Sequence, residues 1–374
     1  MGPLNGITVI ELEAIGPVPM CGMLLGDLGA EVIRVDRPGG SGDPLRTLMG
    51  RNRRSVAVDL KHPEGAGVVL RLAAGADVLI EGMRPGVAER LGVGPDRCLA
   101  ANRRLVFGRM TGWGQQGPLA STAGHDIVYI AVAGALHGIG SGVAPPPPPL
   151  NLVGDFGGGA LYLTVGVLAA LLERDRSGTG QVVDAAMIDG VSSLLTMFHE
   201  LSAMGLWSEQ RGSNLLDGGA PFYTTYPTAD GRFVAVGALE PPFFAALVEG
   251  LGLEGEIPAQ HDRSGWPEMR RRFAARFASR TRADWEEVFA GTDACVAPVL
   301  TMREAKDHPQ VAGRGGYVEV GGVRQPAPAP RFSRSVPTRP TPAVDPGADT
   351  DGVLARFGFS ADEIVALRTA GVVA

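Results

Sequence analysis

The first 110 residues alternate short apolar runs with helix-like runs, and that rhythm limits the fold more than any other feature. Ile7–Leu12 reads as a buried strand, Glu31–Asp36 as a second, and Asp77–Ile80 and Leu105–Met110 as two more. Between them, Met20–Leu28 reads as a helix closed by Gly29, and Pro63–Ala74 as another. A β-α-β rhythm of this kind favours a parallel sheet covered by helices. The turn after the first strand, Gly16-Pro17-Val18-Pro19, is not a glycine fingerprint. Its two prolines lack the backbone N–H donors that a pyrophosphate cradle needs. The expectation is Rossmann-like topology without nicotinamide binding.

The rest of the chain reads differently. Phe156–Glu173 and residues 187–207 carry long apolar helical patterns, the first ending near Ser177-Gly178. Phe222–Thr228 and Arg232–Val236 flank Asp230-Gly231, a hairpin signal. Amphipathic helices are expected at 242–251, 267–278 and 282–290, and a short terminal helix at Ser360–Arg368. A chain of 374 residues exceeds one ordinary core. We expect a large Rossmann-like domain over 1–186, a helical linker over 187–219 and a smaller α+β domain over 220–310. Residues 311–374 read as a return segment, rich in proline and extended over 326–348. Pro145–Pro149 reads as a stiff extended surface loop.

Composition excludes several classes. The formal charge of −6 argues against a general nucleic-acid binder. Cys21, Cys98 and Cys295 are too scattered for a disulfide framework or a metal site, and fit a reducing cytoplasm. The N-terminus lacks the pattern of a signal peptide, and the apolar stretches contain charge or glycine, so no membrane insertion is expected. The 54 glycines are about twice the usual share, many beside helix starts where a ligand can approach the backbone.

Two segments carry chemistry. Gly124-His125-Asp126-Ile127-Val128-Tyr129 is followed about thirty residues later by Gly154-Asp155-Phe156-Gly157-Gly158-Gly159. Each places an ionisable group at the start of an apolar helical run. A neutral imidazole is a competent base near neutral pH, and a helix N-terminus helps to keep it neutral. Alone, His125 reads equally as a packing or capping residue, and Asp155 as the N-cap of the following helix. The Asp-Phe-Gly string is not a kinase motif here, because the other kinase loops are missing.

The chain resembles the α-methylacyl-CoA racemases of the class III CoA-transferase superfamily (CaiB/BaiF type). The likeness rests on an ordered set over residues 3–335. It includes Ile33-Arg34-Val35-Asp36-Arg37-Pro38, Asn52-Arg53-Arg54, Val58-Asp59-Leu60-Lys61, Met110-Thr111-Gly112-Trp113-Gly114-Gln115 and Leu150-Asn151-Leu152-Val153-Gly154-Asp155. It continues through Gly180-Gln181-Val182-Val183-Asp184-Ala185, Leu216-Asp217-Gly218-Gly219-Ala220-Pro221, Ala238-Leu239-Glu240-Pro241, Thr292-Asp293-Ala294-Cys295 and Pro328-Ala329-Pro330-Arg331-Phe332.

The resemblance implies that the return segment over 311–374 rejoins the large domain, and that two subunits interlock as a homodimer, with each active site between the large domain of one and the small domain of the other. It implies interconversion of (R)- and (S)-2-methylacyl-CoA by two-base 1,1-proton transfer through an enolate. No cofactor or metal is implied, coenzyme A being part of the substrate. His125 and Asp155 are the implied acid/base pair. Glu240 orients His125 and, as a negative partner, opposes the helix effect on its ring. Asp126 marks the position where transferase relatives carry a nucleophilic aspartate. Here we expect it to build the pocket, its N–H stabilising the enolate oxygen. Coenzyme A is expected on Arg37, Val58, Asp59, Leu60, Lys61, Gly82, Met83, Arg84, Arg90, Gly124, Ile127, Val128 and Tyr129, with adenine against Leu60 and Met83. Arg53 and Arg54 add positive charge. Met187, Met197 and Met204 read as flexible core filling or as a smooth acyl surface. The rival readings are a class III CoA-transferase using Asp126 and a non-catalytic acyl-CoA binder. The preferred acyl chain stays open among branched fatty acyl, sterol side-chain and aryl-propionyl groups.

Overall fold

Six strands form one parallel sheet in a computed structural model that describes residues 2–40 and 46–374. They are β1 (Thr8–Leu12), β2 (Glu31–Asp36), β3 (Arg53–Ala57), β4 (Val78–Glu81), β5 (Val106–Thr111) and β6 (Val182–Ala186), in spatial order β3-β2-β1-β4-β5-β6. The order reverses between β1 and β4, the topological switch point of a doubly wound fold. β1 sits at the centre, pairing Val9 with Val32 on one side and Val78 on the other.

Both faces of this sheet are buried, and the strand residues alternate between them. Ile10, Leu12, Ile33, Leu79 and Phe107 pack with Val68, Val69 and Leu72 of the helix Gly65–Ala74. Val9, Val32, Val78, Ile80 and Val106 pack with Val18, Cys21 and Leu25 of the helix Pro17–Asp27, and with Leu163 and Val167. Two apolar layers on one sheet explain why β1 shows no polar alternation. The first layer also takes in Val353, Leu354, Val372 and Val373 from the end of the chain. Val58 bridges Val373, and Asp59 N–H donates to the Val372 carbonyl at 2.8 Å.

Charge is buried in this sheet too. Glu11 on β1 accepts from Arg53 on β3 at 2.8 Å, both side chains almost wholly buried. Arg53 also donates to the carbonyls of Met49 and Pro19 at 2.6 Å. It is therefore a structural cation inside the fold, correcting the expectation that it offers charge to a ligand. Arg54 is exposed and pairs with Glu31 at 3.2 Å.

The helical pattern expected over 156–173 is two structures. Leu152–Leu161 is a ten-residue π-helix and Tyr162–Ser177 an α-helix, closed by Gly178 at φ 76°. Gly157, Gly158 and Gly159 let the wider turn pack against the helix Met187–Leu194. A Cβ on Gly158 would stand 2.7 Å from Val191 Cγ2. The pattern at 187–207 likewise divides into Met187–Leu194 and Thr196–Ala203. By length and composition Leu152–Ser177 is apolar enough to cross a membrane, with mean hydropathy 1.6. Its residues Leu163, Val167, Ala170 and Leu171 are buried against the sheet.

The chain divides into two compact units. The first comprises residues 1–133, 149–195 and 315–374, and the second 134–148 and 196–314. The second unit has an antiparallel sheet, β7 (Tyr223–Pro227), β8 (Phe233–Gly237) and β9 (Val296–Pro298), in that order. Asp230-Gly231 makes the β7–β8 turn, with Gly231 at φ 69°. Helices Pro241–Leu251, Trp266–Phe277 and Arg282–Val288 pack an aromatic core of Phe222, Tyr226, Phe273, Phe277 and Trp285 against it.

Candidate active site

The first unit holds a cavity of about 480 Å³ at the switch point. Its wall is built from the segments that follow parallel strands: Ile15 and Gly16 after β1, Gly82–Arg84 after β4, Gly112 and Trp113 after β5, and Met187 after β6. Ligands bind open α/β sheets at this carboxyl edge. Gly124, His125, Tyr129, Asn151 and Asp155 complete the wall. The structure thus brings together eight residues singled out from sequence: Gly82, Met83, Arg84, Gly124, His125, Tyr129, Asp155 and Met187.

His125 is the N-cap residue of the helix Asp126–Val132, with extended backbone at φ −137° and ψ 171°. Its carbonyl accepts from the N–H groups of Val128 and Tyr129, at 2.8 and 3.3 Å. Its side chain makes no capping bond and is exposed. The capping duty that a lone histidine suggests is therefore absent, and the ring lines the cavity.

Asp155 lies in the first turn of the π-helix. It is not an N-cap; Asn151 holds that position, without a side-chain cap bond. Asn151 Nδ2 instead donates to Asp155 Oδ2 at 3.1 Å. Gly16, at φ 68°, leaves room above it: a Cβ there would stand 3.2 Å from Asp155 Oδ2. Partial burial pushes the Asp155 carboxyl above the usual aspartate range, and the Asp126 charge adds to the rise. The Asn151 bond and the His125 ring act the other way.

Tyr129 packs edge-on against Trp113 at 4.8 Å, its ring passing between Gly112 and Gly124. Burial raises its pKa, the Asp155 charge raises it further, and Arg84 opposes both. Glu81, fully buried at the end of β4, fixes the neighbouring wall. Its Oε2 accepts from Met83 N–H at 2.6 Å and its Oε1 from Arg109 Nε at 2.8 Å.

The remaining candidates stand outside this wall. Arg37, exposed at the end of β2, has its N–H on Glu13 at 3.0 Å. Val58 is buried, while Asp59 Oδ1 accepts from Lys61 N–H at 2.9 Å and holds that turn. Leu60 and Met83 pack on the same apolar layer. Arg90 ends the short helix Val87–Arg90 and is exposed. Ile127 and Val128 are exposed on the helix that His125 caps. Asp126 is buried, with Oδ2 accepting from Asp155 N–H at 2.7 Å. Glu240, in the second unit, is the exposed N-cap residue of Pro241–Leu251 and makes no side-chain cap bond. Asn151 and Gly16, which line the cavity, and Glu81, which holds Met83, were not singled out from sequence. The only sequence signal was the four-residue spacing of Asn151 and Asp155, which makes neighbours on one helical face. Among the described residues, no group of three or more His, Cys, Asp or Glu side chains is placed to hold a metal.

The first unit is thus a doubly wound α/β fold with an imidazole and a half-buried carboxyl on the wall of one cavity. The chain matches the CoA-transferase family III profile over residues 4–350 and belongs to that family. It is 48% identical to mouse "Alpha-methylacyl-CoA racemase", covering 99% of this chain and 97% of that protein. The human protein of the same name is 46% identical, over 98% and 96%. A CAIB/BAIF family protein from Brucella suis shares the fold with a TM-score of 0.81 at 25% identity, over 95% of this chain and 99% of that one.

Proposed function

We propose that this chain is an α-methylacyl-CoA racemase, an isomerase acting on 2-methyl-branched acyl-CoA thioesters. Its near-half identity to two racemases over the full length supports the class of reaction. The observation that carries the chemistry is that His125 and Asp155 line one cavity, whereas Asp126 is buried outside its wall.

The thioester makes the α-proton acidic. His125 removes it from the (S)-substrate, a planar enolate forms, and Asp155 delivers a proton to the opposite face. The reverse direction exchanges the roles. A carboxyl whose affinity for protons is raised by burial suits both giving and taking one. The first N–H of the helix Asp126–Val132 has no intrahelical partner and serves the enolate oxygen. The thioester supplies the activation, so the reaction asks for no cofactor or metal.

Coenzyme A lies along the carboxyl edge of the sheet. The exposed cations Arg37, Lys61, Arg84 and Arg90 meet its phosphates, and the adenine rests on Leu60 and Met83. The functional unit is a homodimer, in which Glu240 of a second copy orients His125. Leu161, Val165 and Leu172 support the pairing: all lie between Leu152 and Ser177 and are 49%, 64% and 69% exposed, an apolar surface suited to a partner. The protein works in the cytoplasm without membrane insertion; buried, unpaired Cys21 and Cys98 fit a reducing compartment.

A second reading comes from the family itself. A Chloroflexus aurantiacus "Succinyl-CoA--D-citramalate CoA-transferase" is 37% identical over 67% of this chain. Incubating each enantiomer of a 2-methylacyl-CoA in heavy water decides between the two. With a racemase, the thioester gains α-deuterium and loses optical purity with no acceptor acid. With a transferase it does neither, and coenzyme A moves only once an acceptor acid is added, through an acyl intermediate on Asp126.

A further inference from the structure

We propose that the Asp126 side chain is the positioning group for Asp155, tethering its backbone over the cavity and placing a second negative charge behind its carboxyl. The inference rests on the racemase reading above. Asp126 is 7% exposed, and its Oδ2 accepts the Asp155 N–H at 2.7 Å. That N–H belongs to the first turn of the π-helix, where backbone donors have no partner within the helix. Gly154 makes the approach possible, since a Cβ there would stand 2.8 Å from Asp126 Cγ. Asp126 Oδ1 is buried with no hydrogen-bond partner. An unsatisfied buried carboxylate oxygen is unfavourable, and a fold that keeps one calls for a functional explanation.

The explanation lies in what Asp155 must do. A racemising carboxyl has to accept a proton from one enantiomer and give one to the enolate formed from the other. A neighbouring negative charge disfavours its ionised form and makes it a stronger base. The groups facing Asp155 are few. His125, Asp126 and Tyr129 come from the helix Asp126–Val132 and its cap, Asn151 from its own segment, and Arg84 from the loop after β4. Gly16, Pro17 and Met187 bring no charge from the other walls, and Asp189, on the same helix as Met187, bears on Asp184. Among the described residues, Asp126 is the one carboxylate whose charge raises Asp155.

The consequence is an asymmetry between enantiomers. Asp155 abstracts from the (R)-substrate and His125 from the (S)-substrate, so loss of the Asp126 charge weakens one base. The test uses the full-length protein with (R)- and (S)-2-methylacyl-CoA in heavy water across pH. In Asp126→Asn, which keeps the shape and an oxygen acceptor, the acid limb for (R)-abstraction moves to lower pH. Its plateau falls about tenfold, while α-deuterium wash-in from (S) falls far less. In Asp126→Ala the tether is lost as well, and (R)-abstraction falls about 100-fold. If the alanine variant does not fold, the near-isosteric asparagine variant decides alone. Equal loss for both enantiomers with an unmoved pH limb, or no loss at all, overturns the positioning role. So does an acyl group on Asp126 trapped by hydroxylamine. If the unaltered protein exchanges neither enantiomer, the racemase reading itself fails; exchange by the unaltered protein with symmetric loss in the variants removes only Asp126.

Discussion

Adding one methyl group at Gly190 should disable the site without touching a substrate. Gly190 is buried in the helix Met187–Leu194, which crosses the π-helix at Gly158. A Cβ there would overlap the Gly158 carbonyl oxygen and stand 2.7 Å from its carbon and 2.8 Å from its Cα. All three atoms are backbone, so no side chain can swing aside. The two segments must open by about 1.5 Å to restore ordinary contact, or by at least about 1 Å to relieve the overlap. Met187 begins one segment and Asp155 lies three residues before Gly158 on the other, and both line the cavity. A displacement of about 1 Å at a reacting group costs about 100-fold in kcat. Overpacking costs about 1–3 kcal/mol, partly offset by the roughly 1 kcal/mol that alanine contributes over glycine in a helix. The expected net loss lowers the melting temperature by about 2–4 °C. Gly352→Ala is the control, because Gly352 lies in the helix Thr350–Arg356 with nothing within 4 Å of the added carbon. That variant should gain about 0.4–1 kcal/mol and keep its kcat. Racemisation rates and thermal melts of both variants settle the matter. A Gly190→Ala protein with unchanged kcat and melting temperature refutes the claim that this crossing sets the position of Asp155.

The other predictions concern charge. Asp155→Asn should lower racemisation roughly 100- to 10,000-fold while α-deuterium exchange of the (S)-substrate through His125 persists. The same variant should be the more stable protein at neutral pH. Burial raises the Asp155 carboxyl, so the stability it lends is complete below the ordinary aspartate range and is lost as pH rises through the raised value. Asparagine escapes that loss, and the melting-temperature advantage should vanish in acid. Arg53→Ala leaves Glu11 buried and unpaired and should cost about 3–5 kcal/mol in a denaturant melt. Lys61→Ala, at an exposed position, should raise KM for the thioester and leave the melt unchanged.

Four strands of the parallel sheet were legible because a core strand leaves a strong trace, whereas β3, with its two arginines, and β6, half exposed, were not. β1, β2, β4 and β5 fall within a residue of their expected bounds, since a sheet buried on both faces needs continuous apolar runs. The Asp230-Gly231 turn was as plain, because few residues accept a positive φ. Irregular helix was not legible. The glycines at 157–159 signalled close approach, but a π-helix differs from an α-helix by hydrogen-bond register, which periodicity does not record. Arg53 shows the limit for charge. Sequence identifies a cation, and only the packing reveals that Glu11 and two carbonyls already hold it. His125 and Asp155 were found through a family pattern, since a histidine and an aspartate thirty residues apart carry no geometry of their own. Asp126 tethering the Asp155 backbone is a long-range contact that no spacing rule would have found.

The central claim is that two different groups serve the two faces of one α-carbon. The most direct measurement is the isotopic content of the product at initial rate in heavy water, starting from unlabelled (R)-2-methylacyl-CoA. Two bases predict that the first (S)-product carries solvent deuterium at the α-position, because the group that adds the proton is not the one that removed it. An (S)-product that keeps the substrate's own proton would mean that a single group serves both faces, and would contradict the account.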